Sequence, residues 1–126
     1  MCPLLQVFDM PASVAFYRDL LGFVVIDAAP PGEDADWVWL RNNDADVMLN
    51  TMYEAPDRPA APDAMRVEAH RDTGIYFGCR DVDALHAYLT ERGVEVEELR
   101  TAPYGMRQVY LRDPDGYMLC FQWPAT

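Results

Sequence analysis

The chain has 126 residues, 51% of them hydrophobic, and a formal net charge of -11 at pH 7. That length implies one domain burying roughly two-thirds of its unfolded surface, and the apolar content excludes disorder for the chain as a whole. The charge repels phosphate backbones, so nucleic acid is not an expected partner, and it favours a cationic ligand at long range.

The opening stretch MCPLLQVFDMP has neither a basic region nor a long apolar run, so no secretory signal is expected. Leu4 to Phe8 predicts a short strand. Asp9 and Pro11 then open a helix, because an Asp oxygen caps free amides and Pro fits a first turn. Val14, Tyr17 and Leu21 form its apolar stripe, and Gly22 ends it. Strands are predicted at Phe23 to Ile26, Trp37 to Leu40 and Val47 to Tyr53, separated by the turn-forming stretches PPGEDAD and NNDAD. Residues 54–71 carry three prolines and little periodicity, which predicts a connecting loop. A second unit follows in the same order. Gly74 to Cys79 predicts a strand, Val82, Leu85 and Leu89 stripe a helix, and Val94 to Leu99, Met106 to Leu111 and Tyr117 to Trp123 predict three more strands. Asp113-Pro114-Asp115-Gly116 makes a tight turn between the last two. No apolar run of roughly 18 residues occurs, so no membrane contact is expected. Three cysteines, Cys2, Cys79 and Cys120, form an odd set without CxxC spacing, which predicts reduced thiols in a cytoplasm.

The chain therefore repeats itself. Asp9 to Phe23 (DMPASVAFYRDLLGF) is echoed about 72 residues later by Asp81 to Val94 (DVDALHAYLTERGV), each an Asp-capped helix closed by Gly. Two related halves in one small domain suggest a groove for a small molecule. The residues Asp9, Ser13, Phe16-Tyr17 and Leu21-Gly22-Phe23, with Asp81-Val82-Asp83, Tyr104-Gly105 and Asp113-Pro114-Asp115-Gly116-Tyr117, resemble the vicinal oxygen chelate superfamily. That superfamily includes glyoxalases, extradiol dioxygenases and bleomycin-resistance proteins, and the resemblance covers nearly the whole chain. It implies an α+β fold: two βαβββ modules forming a curled, cup-shaped mixed sheet with helices on the outer face. The chain then forms a single domain, 1–126, with module 1 over about 3–53, a linker over about 54–71 and module 2 over about 72–124. The resemblance also implies a homodimer.

Enzymes of the superfamily hold a divalent metal with His, Gln or Glu from the first and last strands of each module, and the metal acts as a Lewis acid. Counted by the family spacing, those positions are Cys2, Asn50, Gly74 and Cys120. None is His, Asp or Glu, and two lone thiols make a poor site. The cysteines read better as apolar fillers. His70 is expected on a surface loop, with a place over the cup mouth as the alternative, and His86 is expected packed or facing solvent. The metal-bound base of the glyoxalase pattern is missing too. No metal, no cofactor and no catalytic residue are therefore expected, and the enzyme reading is disfavoured.

Strand alternation gives the expected cup lining. Trp37, Trp39, Met48 and Asn50 come from the first module, and Tyr76, Gln108, Tyr110, Met118 and Gln122 from the second. Flat aromatic faces, thioethers and neutral amides suit an aromatic or cationic small molecule. Packing of Trp37, Trp39 and Tyr110 on one another or across a dimer is the competing use. The resemblance is nearest to the metal-free, bleomycin-resistance branch. The expected function is thus a cytoplasmic binding protein sequestering an aromatic or cationic toxin or antibiotic. Two alternatives stay open: a metal-dependent lyase, isomerase or dioxygenase with an unusual ligand set, and a partner-binding module whose cup its own side chains fill.

Overall fold

The computed structural model describes residues 1–32 and 34–125. Glu33, inside the predicted PPGEDAD break, lies outside the described residues. The chain divides into two compact units, Met1–Arg66 and Val67–Thr126.

In the first unit, β1 (Leu4–Val7) leads into α1 (Met10–Val14), then β2 (Val24–Ala29), β3 (Trp37–Asn42) and β4 (Ala45–Thr51). The strands form one sheet in the order β1-β4-β3-β2, with β1 parallel to β4 and the other pairs antiparallel. The predicted cap is present: the Asp9 carboxylate accepts the Ala12 backbone N–H at 3.2 Å. The helix does not stay α-helical, however. Ala15–Leu20 widens into π-helical turns, with the Leu21 N–H donating to the Phe16 carbonyl at 3.1 Å. The widened turns accommodate the fully buried Tyr17 ring, packed edge-on against Phe16 at 5.1 Å and Phe23 at 5.8 Å. Leu5, Val7, Val38, Leu40, Val47 and Leu49 alternate onto one face of the sheet and are buried there with Met10, Val14 and Tyr17 of the helix. Each such apolar side chain contributes roughly 1.5–3 kcal/mol of burial.

The second unit repeats the plan. Its elements are β5 (Gly74–Gly78), α3 (Val82–Glu91), β6 (Arg100–Thr101), β7 (Met106–Arg112) and β8 (Met118–Pro124), with sheet order β5-β8-β7-β6. Asp81 caps α3 through the Ala84 N–H at 3.0 Å, and Val82 and Leu89 of the predicted stripe are buried. The predicted strand over Val94 to Leu99 reduces to an isolated bridge, Val96 opposite Leu111, with the two-residue β6 beyond it. Glu95, Glu97 and Glu98 crowd like charge into this edge segment, which has a neighbour on one side only.

The predicted linker also acquires structure: a 3-10 turn at Ala55–Asp57, a short helix α2 (Ala64–Ala69) and a 3-10 turn at His70–Asp72. The prolines end before Ala64, and the following AMRVEA is a good helix-forming run. His70 is half-buried, stacked on Tyr117 at 3.8 Å, with its Nδ1 2.7 Å from the Asp115 carbonyl oxygen. It is a packing residue of the turn between β7 and β8. In that turn the Asp113 carboxylate accepts the N–H groups of Asp115 and Tyr117, both at 2.9 Å. Gly116 sits at φ 86°, and a Cβ there would lie 2.7 Å from Val67 Cγ1, so both the dihedral and the space require glycine. Among the described residues no helix is long and apolar enough to cross a membrane. The fold is α+β, built of two βαβββ modules in chain order.

Candidate functional site

The face of each sheet turned away from the buried apolar set carries the candidate residues. In the first module two rows run across the strands: Gln6, Asn50 and Trp37 in one, and Leu4, Met48 and Trp39 in the next. The Asn50 amide donates to Gln6 Oε1 at 3.3 Å. Trp37, Trp39, Met48 and Asn50 are all half-exposed, so the structure brings these four candidates together on one accessible surface. One further step along the sheet, Arg41 faces Asp46 and binds it by two hydrogen bonds, at 2.7 and 3.1 Å. The guanidinium holds the Asp46 carboxyl below its ordinary range. The same guanidinium lies 5.2 Å from the Trp39 ring centroid. The Trp39 indole N–H is shielded from solvent and makes no hydrogen bond of ordinary geometry among the described residues, although it adds weakly to the lowering at Asp46.

In the second module three rows contain the other five candidates. They are Gly78, Gln122 and Gln108; Tyr76, Cys120 and Tyr110; and Gly74, Met118 and Arg112. The two tyrosine hydroxyls meet at 3.2 Å. That bond, then burial, then the Cys120 thiol raise the Tyr110 pKa, so the phenol stays protonated. Cys120 is 1% exposed, and burial pushes its thiol pKa up. Gln108 is also only 1% exposed. Its amide donates to Tyr104 Oη at 2.7 Å and to Gln122 Oε1 at 2.8 Å, so it positions those two groups more than it presents its own. Arg100 lies 5.1 Å from the Tyr110 ring centroid.

The five candidates Tyr76, Gln108, Tyr110, Met118 and Gln122 thus share one face of the second sheet. The face borders a cavity of about 790 Å³ lined by Arg71, Glu95, Glu97, Tyr110, Arg112 and Met118, among others. That volume falls in the range of small-molecule sites, roughly 300–1,000 Å³. A smaller groove of about 340 Å³, lined by residues such as Arg80, Asp83, Arg107 and Trp123, borders none of the candidates.

The two registers revise one expected position. Leu4 pairs Met48 in the first sheet as Tyr76 pairs Cys120 in the second, and the N-caps Asp9 and Asp81 set the same offset of 72. The counterpart of Cys120 is therefore Met48, and Asn50 corresponds to Gln122. Counting from the helix cap places a first-strand residue well, but the last strand lies beyond turns of different length. Chemically, the revised set Cys2, Met48, Gly74 and Cys120 offers a thioether, a glycine and two thiols whose pKa values burial raises. Among the described residues no group of three or more His, Cys, Asp or Glu side chains is placed to hold a metal ion. These residues do not supply the His, Gln or Glu donors of the metal site that the resemblance implies.

Sequence reasoning also passed over Tyr104, Arg41, Arg100 and Arg112. The alternation that selects Trp37 and Trp39 selects Arg41, and the one that selects Gln108 and Tyr110 selects Arg112. The signal was present in the same period-two pattern.

Solved structures share this architecture. SMU.1112c is 28% identical, with a TM-score of 0.75 and coverage of 97% of this chain and 96% of that one. TnmS3, an antibiotic binding protein from Streptomyces sp. CB03234, is 28% identical, with a TM-score of 0.66 and coverage of 96% and 93%. The bleomycin-binding protein of Streptomyces verticillus, solved with copper(II)-bleomycin, is 24% identical, with a TM-score of 0.68 and coverage of 96% and 92%. No curated protein matches the chain. The sequence profile of the glyoxalase/bleomycin resistance protein/dioxygenase superfamily matches residues 3–121. With the paired modules, the two Asp-capped helices and the Asp-Pro-Asp-Gly turn, that match places the chain in this superfamily.

Proposed function

We propose that the protein binds an aromatic small molecule without changing it chemically, as a sequestering protein for a toxin or antibiotic. The observation that carries this reading is the composition of the two open sheet faces. Half-exposed Trp37 and Trp39 lie beside Met48 and Asn50, and half-exposed Tyr110 beside Met118 and Gln122. Aromatic rings supply stacking area at low conformational cost, thioethers adapt to shape, and amides fix orientation. The family-equivalent metal positions hold no imidazole or carboxylate, which supports binding over the metal-assisted chemistry of the superfamily's enzymes. The 28% identity to TnmS3, an antibiotic binding protein, supports the same class of ligand. The negative net charge adds long-range attraction for compounds that carry a cationic group.

Tryptophan fluorescence titration with a panel of aromatic metabolites and cationic aromatic drugs tests the reading. At least one class should shift or quench emission saturably, with binding weakened about tenfold or more in Trp39→Ala, a loss of about 1.4 kcal/mol. A panel without any saturable response would sink it. Elemental analysis of protein prepared without chelator checks the metal-free state; a stoichiometric divalent metal would revive the enzyme alternative.

The proposal includes a homodimer in a reducing cytoplasm. Cys2, Cys79 and Cys120 are free thiols. Val24, Val25 and Ile26 are 62%, 36% and 41% exposed on β2, an edge strand that a second copy could cover. Light scattering on the wild type and a Val25→Lys variant tests this, with a monomeric wild type as the contrary result.

A further inference from the structure

The two modules place an arginine at the same register position and treat it differently. In the first sheet Arg41 pairs across the strands with Asp46, and its guanidinium binds that carboxylate. In the second sheet the corresponding pair is Arg112 and Met118. The thioether offers no counter-charge. Arg112 is half-buried, and among the described residues its side chain has neither a hydrogen bond nor an ion pair. The cavity of about 790 Å³ that it lines also receives Tyr110 and Met118. The other charged groups there do not serve it: Arg71 is bound to Glu68 at 3.3 Å, and Asp113 accepts two backbone N–H groups of its own turn. Glu95 and Glu97 line the cavity but lie outside ion-pair distance of Arg112. A guanidinium partly withdrawn from water without a partner is unfavourable, and a planar fork of donors is suited to an anionic oxygen pair.

We propose that Arg112 is the anchor for an acidic group of the ligand, a carboxylate, sulfonate or phosphate attached to the aromatic body that the neighbouring Tyr110 and Met118 accept. The inference rests on the aromatic-binding reading above and narrows its ligand to an aromatic acid, or a zwitterion whose acidic end lies at Arg112. The anchor works against the long-range field of an acidic chain, so it selects at contact distance.

Two fluorescent probes separate the claims: anilinonaphthalene sulfonate, and N-phenylnaphthylamine, which has the same rings without the charge. Their dissociation constants are measured on wild type, Arg112→Gln, Arg112→Lys and Met118→Asp. The wild type should prefer the sulfonate despite the negative net charge of the protein. Arg112→Gln should reduce the preference ratio about tenfold, Arg112→Lys should retain part of it, and Met118→Asp should abolish it by giving Arg112 the partner that Arg41 has. A ratio unchanged in Arg112→Gln and Met118→Asp, with both probes still bound, overturns the anchor alone. Failure of the wild type to bind either probe overturns the anchor together with the aromatic-binding reading. Circular dichroism on each variant keeps loss of fold from being read as loss of anchor.

Discussion

In the first module the β3–β4 hairpin turns in the open, through the exposed residues Asn43 and Asp44, with Asn43 at φ 52°. In the second the β7–β8 hairpin turns through Asp113–Tyr117, where Asp113, Asp115 and Tyr117 are buried and Val67 presses on Gly116. Next to the open turn, Arg41 is neutralised by Asp46; next to the locked turn, Arg112 is left facing a cavity. One repeated unit has thus been finished in two ways. Where the turn is exposed, the strands satisfy their own charges, and where it is buried and hydrogen-bonded, Arg112 is left facing the cavity. Rigid backbone under a binding group keeps it in place without further ordering when a ligand arrives.

Breaking the locked turn should have the largest effect. Gly116→Val meets both the positive φ and the Val67 side chain and should cost about 3 kcal/mol in chemical denaturation, whereas Asn43→Gly should change stability by less than about 0.5 kcal/mol. Equal effects at the two turns would remove the contrast. Asp113→Ala comes next, with a loss of about 2 kcal/mol because two backbone N–H groups lose their acceptor. Chemical labelling separates two thiols on the candidate faces: Cys120, 1% exposed, should react with iodoacetamide about tenfold or more slowly than the half-exposed Cys2. Comparable rates would mean that the Tyr76–Tyr110 surface opens readily.

The smallest effect belongs to Arg41 and Asp46. Asp46 is depressed chiefly by its hydrogen bonds to Arg41, so its contribution is present above the ordinary carboxylate pKa and is lost as pH falls through the lower folded value. Arg41→Met should therefore reduce stability slightly at neutral pH and not at all in strong acid. High salt should shrink the difference further, because the pair is exposed. A difference that persists in acid would assign the effect to the Arg41 stem over Trp39 instead.

Much of this could be read from residue order. The caps at Asp9 and Asp81, the Asp-Pro-Asp-Gly turn and the sidedness of Trp37, Trp39, Gln108 and Tyr110 all follow from local rules. These are hydrogen-bond capping, backbone preference at Pro and Gly, and strand alternation. The same rules failed where the outcome depended on a distant neighbour. Ala15–Leu20 follows the helix stripe in sequence yet forms π-helical turns around the buried Tyr17 ring, which the period-of-3.6 rule does not predict. Nothing local predicts that Val94 to Leu99 contributes only one bridge, because an edge segment needs its neighbour to hold it.

The sequence by itself determined the doubled βαβββ plan and the residue types on each open face, since periodicity and turn chemistry are written in adjacent residues. Tertiary structure decided which side chains are partnered. Pairing Arg41 with Asp46 and Arg112 with Met118 is a matter of strand register across two hairpins whose turns differ in length. A one-residue change in that register would exchange the faces, and no residue in isolation carries it. For the same reason Met48, not Asn50, proved to be the counterpart of Cys120.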